Sequence, residues 1–537
     1  MKCFYVFFLF LITATAFSQE DAWVYFNAKP SSQTYLSNPS QMLSQRSLTR
    51  RINQNIALNL TDVPVEKSYI TQIKSSAGIT ILAQSKWLNA LHIRGTQAAI
   101  LALKNFTFVD KVVFADRTLN PTSKKAFTNN ITTIKNNLET KVDYAYGNAA
   151  NQIQMLNGQV LHQQNYTGSG KVIAVLDAGF PGVNTAQPFQ RLRDNNLILG
   201  GYDYVARNTN FYSGGSHGTL VLSTMGGYKE NALIGTAPDA SYYLFRTEND
   251  AIESPIEESL WVEAAEKADS LGVDIITTSL GYFLQFTNPN HNHTYSDMNG
   301  TTNFISLGAE LAFSKGIIVV ASAGNEGLMT EPHIGAPADA VSVIAVGSVT
   351  ATKAKSGFSS VGPSFDGRIK PDVMAQGTAA TVSDAAGNIG TANGTSFSCP
   401  IMAGMIACLW QAFPTKTNQE IRQMVFQSSD KYATPNINFG YGIPNFGASL
   451  GVENYTDVKN ETFLVSPNPA KTEVSFSFSN KNNTASVVIY SILGQKMIEK
   501  QITSQNPILS LETLNSGLYF YTFDTNGLHK TGKIIKQ

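Results

Sequence analysis

Val172-Ile173-Ala174-Val175-Leu176-Asp177 is a near-unbroken apolar run closed by an acid. A strand with one wet face alternates apolar and polar residues. This one does not, so it must be covered on both faces, which is the condition of a parallel sheet. The runs at 197–201, 242–245, 273–278, 317–321 and 341–346 repeat the pattern. Helical periodicity separates some of them: residues 257–271 place Leu260, Ala264, Ala265, Ala268 and Leu271 on one face, and 306–314 form a second helix. The spacing predicts an α/β domain, a mostly parallel sheet flanked by helices. Ligand sites in such sheets gather at the carboxyl ends of the strands.

Four polar residues fall at such ends. Asp177 follows the first strand directly; it could orient an imidazole, or simply close a turn. His217, in Gly215-Ser216-His217-Gly218-Thr219, opens a helical stretch. Asn325, in Ala323-Gly324-Asn325-Glu326-Gly327, follows the 317–321 strand and could aim an amide N–H at an oxyanion, or serve as a turn residue. Ser396 lies in Asn393-Gly394-Thr395-Ser396-Phe397-Ser398-Cys399-Pro400, a polar turn feeding an apolar helix at 401–410. Unpaired N–H groups at a helix start can face developing negative charge. A serine hydroxyl is a weak nucleophile; it needs a base in reach and a carboxylate to hold that base in the right tautomer.

Around this region the chain changes character. At 537 residues it is too long for one ordinary domain. Hydrophobic content of 43% and charge of 15% are globular values, and a formal net charge of zero gives no reason to expect a nucleic-acid partner. Residues 1–18 have the form of a secretory signal: Lys2, an apolar stretch at 4–12, then small residues up to Ser18. No later run is long and apolar enough to be read as a transmembrane segment. Cys399 and Cys408 lie nine residues apart on one expected helix, on nearly opposite faces, and cannot bridge. Residues 19–145 read as a small α+β unit, with strands at 22–26, 83–92 and 108–114 and helices at 68–75 and 96–103. A polar, cleavable stretch follows at 116–138. The unit is a pro-domain or an independent binding module. After a polar linker at 453–462, about seven short strands in residues 456–537 indicate a small β-sandwich.

Taken together, 172–179, 216–219, 323–327, 357–363, 366–373 and 394–396 resemble the subtilisin-like (subtilase) serine proteases, in that family's order Asp, His, Ser. The resemblance implies that Asp177 orients, His217 is the base and Ser396 the nucleophile. Asn325 and the Ser396 N–H would form the oxyanion hole, with Thr395 in support. It assigns substrate binding to Ser279, Leu280 and Gly281 on one wall and Ser322, Ala323 and Gly324 on the other, with the stretch near Gly335 at the base and Glu326 at the rim, where it could modestly favour a basic residue. These small residues imply broad specificity with an apolar or mixed P1 preference. Phe397-Ser398 replaces the Met-Ala usual after the nucleophile. An insertion at 284–303 carries His291 and His293, whose spacing could suit zinc in a loop. Structural Ca²⁺ is an expectation of the family with no loop assigned; catalysis itself needs no cofactor.

The 88–95 and 109–112 stretches resemble subtilisin-type propeptides, which makes 19–145 an intramolecular inhibitor and 146–455 the catalytic domain. Pro467-Asn468-Pro469, 490–495, 514–519 and the Lys533-Ile534-Ile535-Lys536 terminus resemble the sorting domain of type IX secretion in Bacteroidetes. That implies the type IX machinery as a partner, passage through the periplasm, and release or outer-surface attachment. A carbohydrate- or protein-binding module is the other reading of 456–537.

Overall fold

A computed structural model describes residues 18–120, 144–450, 464–466, 470–478, 484–491, 495–525 and 528–537. The expected signal, most of the cleavable stretch, the 453–462 linker and Pro467-Asn468-Pro469 lie outside the described residues. The chain divides near residue 451 into two compact units.

The first unit begins with a four-stranded antiparallel sheet of β1 (Gln19–Phe26), β2 (Thr80–Ser85), β3 (Ala90–Thr96) and β4 (Val109–Phe114), in the order β2-β3-β1-β4. The single strand expected at 83–92 is therefore a hairpin. Its turn places Asn89 at φ 50°, and apolar spacing continues through it, which hides it from a periodicity reading. Alternation along β1 divides its side chains between two cores. Ala22, Val24 and Phe26 face the pro-segment's own core. Trp23 faces the other way, stacks on Phe304 at 5.2 Å and donates its indole N–H to Ser259 Oγ at 2.9 Å.

The seven-stranded sheet of this unit is parallel throughout. Its strands are β5 (Val172–Asp177), β6 (Ile198–Asp203), β7 (Ser241–Arg246), β8 (Ile275–Thr278), β9 (Ile318–Ser322), β10 (Ile344–Val349) and β11 (Val373–Gln376), in the order β11-β10-β9-β8-β5-β7-β6. All six residues of β5 are buried. Ile173 and Val175 join one core, Ala174 and Leu176 the other. From β5 the chain runs to the edge strand β6, returns to β7 beside β5, then crosses to β8 and winds out to the other edge. The β5/β8 boundary is thus the switch point, where a crevice opens at the carboxyl ends.

Helices Ile256–Leu271 and Phe304–Ser314 cover the face that also carries the pro-segment. The helix Thr395–Ala412 is buried along nearly its whole length, as expected of a helix apolar on every side. Cys399 and Cys408 sit buried on it, both as free thiols.

The second unit holds two antiparallel sheets: Leu464–Ser466, Glu473–Ser477 and Ile508–Ser510 in one, and Thr484–Tyr490, Lys496–Thr503, Gly517–Thr525 and Leu528–Lys536 in the other. Val474, Phe476, Val487, Ile489, Tyr521 and Phe523 fill one core between them.

Candidate active site

Asp177 is the last residue of β5 and is fully buried. Its Oδ1 accepts the Ala178 N–H at 2.8 Å and faces His217 Nδ1 at 2.8 Å. His217 is the first residue of the helix His217–Gly226. The two approach closely because Gly218 has no side chain; a Cβ there would meet Asp177 Cβ at 3.0 Å. The imidazole side chain is 36% exposed, so it remains reachable from the cleft. Asp177, the nearest charge, raises its pKa to about 9, and Glu248 and Asp250 add to the shift.

Glu248 and Asp250 were not among the residues singled out from sequence. β7 pairs Arg246 with Asp177, and Thr247 N–H donates to Asp177 O at 3.0 Å. The residues just past Arg246 therefore stand beside the imidazole. Burial holds the Glu248 carboxyl up at about 9, with Asp177 adding to the shift. Sheet register was the signal that would have found it.

Ser396 is the second residue of the helix Thr395–Ala412. Gly394 delivers it at φ 149°, a conformation essentially confined to glycine. Among the described residues its N–H has no hydrogen-bond acceptor, as expected of a first-turn donor. Asn325 Oδ1 accepts both the Thr395 N–H, at 3.0 Å, and the Thr395 hydroxyl, at 3.1 Å. A backbone N–H can only donate, so it fixes which end of the amide faces it. Thr395 Oγ1 in turn accepts the Gly324 N–H at 3.3 Å.

Ser396 Oγ donates to Ser279 O at 3.4 Å. No hydrogen bond joins it to His217, so the serine and the imidazole share the crevice without the bond that would activate the hydroxyl; such bonds are often made only in the substrate complex. Pro400 adds a tie. It lacks the N–H that would normally bond the carbonyl four residues back, that of Ser396. That carbonyl instead accepts the Ser279 hydroxyl at 2.8 Å.

Ser279, Leu280 and Gly281 continue β8, and Ser322, Ala323 and Gly324 lie at and just past the end of β9. Ser322 Oγ donates to Leu280 O at 3.5 Å, linking the two segments. Gly281 faces open space. Glu326 departs from the expected rim position: it is 8% exposed and lies beneath the surface. Phe397 packs in the core with its ring 6.1 Å from that of His217. In the insertion, His293 Nε2 pairs with Glu258 at 2.8 Å and His291 Nε2 lies 3.4 Å from Asn288 Nδ2. Among the described residues no three His, Cys, Asp or Glu side chains are placed to hold a metal ion. A cleft of about 740 Å³ lies elsewhere, between Lys86 of the pro-segment and Tyr202, Tyr243 and Lys267.

Comparison with known proteins identifies three regions of the chain. Residues 21–132 match the Bacteroidota propeptide domain of S8 peptidases, and 464–537 match a secretion-system C-terminal sorting domain. The pro-segment is therefore an intramolecular partner, and the chain is exported by the type IX route for secretion or surface attachment. Subtilisin NAT of Bacillus subtilis subsp. natto is 32% identical over 300 residues, covering 55% of this chain and 70% of that protein. Subtilisin of Bacillus pumilus is 31% identical and 97% covered. A crystal structure of the epidermin leader peptide processing serine protease from Staphylococcus aureus aligns with a TM-score of 0.53 at 15% identity, over 82% of this chain and 99% of that one, a likeness of fold. With the subtilase description itself matching residues 168–443, and an Asp-His pair and a helix-borne serine at the switch point of the sheet, the chain belongs to the subtilase family of serine endopeptidases.

Proposed function

We propose that Asp177, His217 and Ser396 are the catalytic triad of a secreted endopeptidase of broad specificity. The observation that carries this reading is the 2.8 Å contact of a fully buried Asp177 with His217 Nδ1, which leaves the other ring nitrogen to serve as the base. Rotation of the Ser396 side chain away from Ser279 O brings its hydroxyl to that nitrogen. His217 takes the proton as Oγ attacks the scissile carbonyl, and Asp177 stabilises the imidazolium. The carbonyl oxygen becomes an oxyanion, met by the Ser396 N–H and by Asn325 Nδ2, the end of the amide that Thr395 leaves free. His217 then protonates the leaving amine, and a water that it activates releases the acyl group.

Residues 19–145, 146–455 and 456–537 act in this scheme as pro-domain, catalytic domain and sorting domain. The small, uncharged walls at 279–281 and 322–324 favour varied P1 side chains. Ca²⁺ is assigned to no side chain, and no step depends on it.

The test is fluorophosphonate labelling of the secreted protein together with cleavage of a chromogenic peptide. Labelling on Ser396, and loss of both signals in Ser396→Ala, are expected. A matured chain, stripped of residues 19–145, that neither labels nor cleaves would overturn the reading and leave a binding protein on a protease scaffold.

A further inference from the structure

We propose that Gln285, from the insertion, sets the P1 class of this enzyme by capping a carboxylate beside the specificity pocket. The proposal rests on the triad reading. If Asn325 and the Ser396 N–H hold the substrate carbonyl, the adjoining side chain enters between 279–281 and 322–324, the two segments nearest Ser396. Past Gly281, Tyr282 and Ala336 exchange backbone hydrogen bonds at 2.9 and 3.1 Å. From there Gln285 reaches across to the opposite segment and donates its amide N–H to Glu326 Oε1 at 2.5 Å.

Glu326 stands against the 322–324 segment. It directly follows Asn325, is 8% exposed, and leans so closely on Gly324 that a Cβ there would collide with Oε2. Its Oε2 accepts the Ser360 hydroxyl at 2.6 Å, and the same hydroxyl accepts the Glu326 N–H at 3.0 Å. Both side-chain donors to the carboxylate are neutral. The negative charge is hydrogen-bonded but not cancelled, and the Gln285 amide occupies one of its two oxygens. A P1 lysine or arginine would have to displace that amide to reach the charge. An apolar P1 residue would not. The capped carboxylate therefore selects uncharged P1 side chains, and an uncapped one would attract cations.

The test uses the matured enzyme, with active sites counted by fluorophosphonate titration and kcat/KM measured on tetrapeptide anilides bearing P1 Leu, Phe, Lys or Arg. The native enzyme is expected to favour Leu and Phe. Gln285→Ala should raise the Lys-to-Leu ratio of kcat/KM by about tenfold or more, and Gln285→Ala combined with Glu326→Gln should return it. Gln285→Ser serves as a second uncapping variant if the alanine form does not fold. An unchanged ratio in the uncapped variants, a gain that survives Glu326→Gln, or a native preference for Lys would each overturn the proposal. Failure of the native enzyme to titrate at all would instead count against the triad reading.

Discussion

Asn325 can present only one end of its amide to the cleft, because the Thr395 N–H and hydroxyl both take Oδ1. Asn325→Ala is expected to lower kcat by about 10²–10³-fold with little change in KM, a size taken from removal of one such donor in subtilisin. Steady-state kinetics on titrated enzyme check it. The imidazole gives a second expectation. Protonated His217 cannot act as a base, so activity rises with pH through its pKa. Asp177 lifts that value from 6.5 to about 9. The acid limb of kcat/KM should therefore lie well above 6.5, and Asp250→Asn, which removes a further acid that raises the imidazole, should move it down; a pH–rate profile reads both. At this scale the sequence was legible wherever strand polarity placed a residue: Asp177, Asn325 and Ser396 each follow from the end of a buried run or the start of a buried helix. The flip of Asn325 and the Gln285–Glu326 bond were not legible, because each depends on a partner brought near only by the fold.

Among the elements, the helix Gln45–Asn53 escaped the sequence reading altogether. Its buried side chains are Ser47, Arg50 and Arg51, so it shows no apolar stripe to find. It is held by charge. Arg51 bonds Asp269 at 2.8 Å and Asp62 at 3.0 Å, and Arg50 also pairs with Asp269. All four groups are buried, and Lys315 Nζ stands 3.2 Å from Asp62. Removing one member of a buried pair leaves an uncompensated charge, at a cost of about 3–5 kcal/mol. Asp269→Ala is therefore expected to destabilise the uncleaved chain by that amount. Urea unfolding in the Ser396→Ala background measures it, and the same substitution should cost much less once the pro-segment is gone. The helix Thr395–Ala412, by contrast, is legible from end to end, since its burial needs nothing but its own apolar residues.

Across the first unit as a whole, activation and pH are linked through the seam between pro-segment and protease. Glu266 accepts the Ser85 hydroxyl at 2.6 Å and the Trp87 and Lys86 N–H groups at 2.9 and 3.0 Å. Burial beneath the hairpin raises its carboxyl from 4.5 to about 7. The docked state thus holds a proton that an exposed Glu266 has already released. Docking is strongest at acid pH and weakens as pH rises through that window, until both states are ionised above about 7. The nicked pro-segment should stay bound at pH 5 and separate more readily at pH 8, as read by size-exclusion chromatography of proteolysed Ser396→Ala protein; equal retention would count against it. The α/β class, the small α+β unit at the N-terminal side and the β-rich tail were all readable from periodicity and its changes along the chain; that the unit is a pro-segment came from its resemblance to a family. The seam was not, because its contacts join residues some 180 positions apart.

The proline at position 400 makes two distant sites epistatic. Because it offers no N–H, the Ser396 carbonyl is left to Ser279, and the turn that carries Ser396 is tied to a segment 117 residues away. Any other residue at 400 would bring a competing donor. Ser279→Ala should then matter less in that background than in the native one. A double-mutant cycle over Ser279→Ala and Pro400→Ala, read in kcat/KM, is expected to show a coupling on the order of 1 kcal/mol. Neither position can be varied as though the other were absent, so a library that treats the segment and the helix as independent will misjudge both.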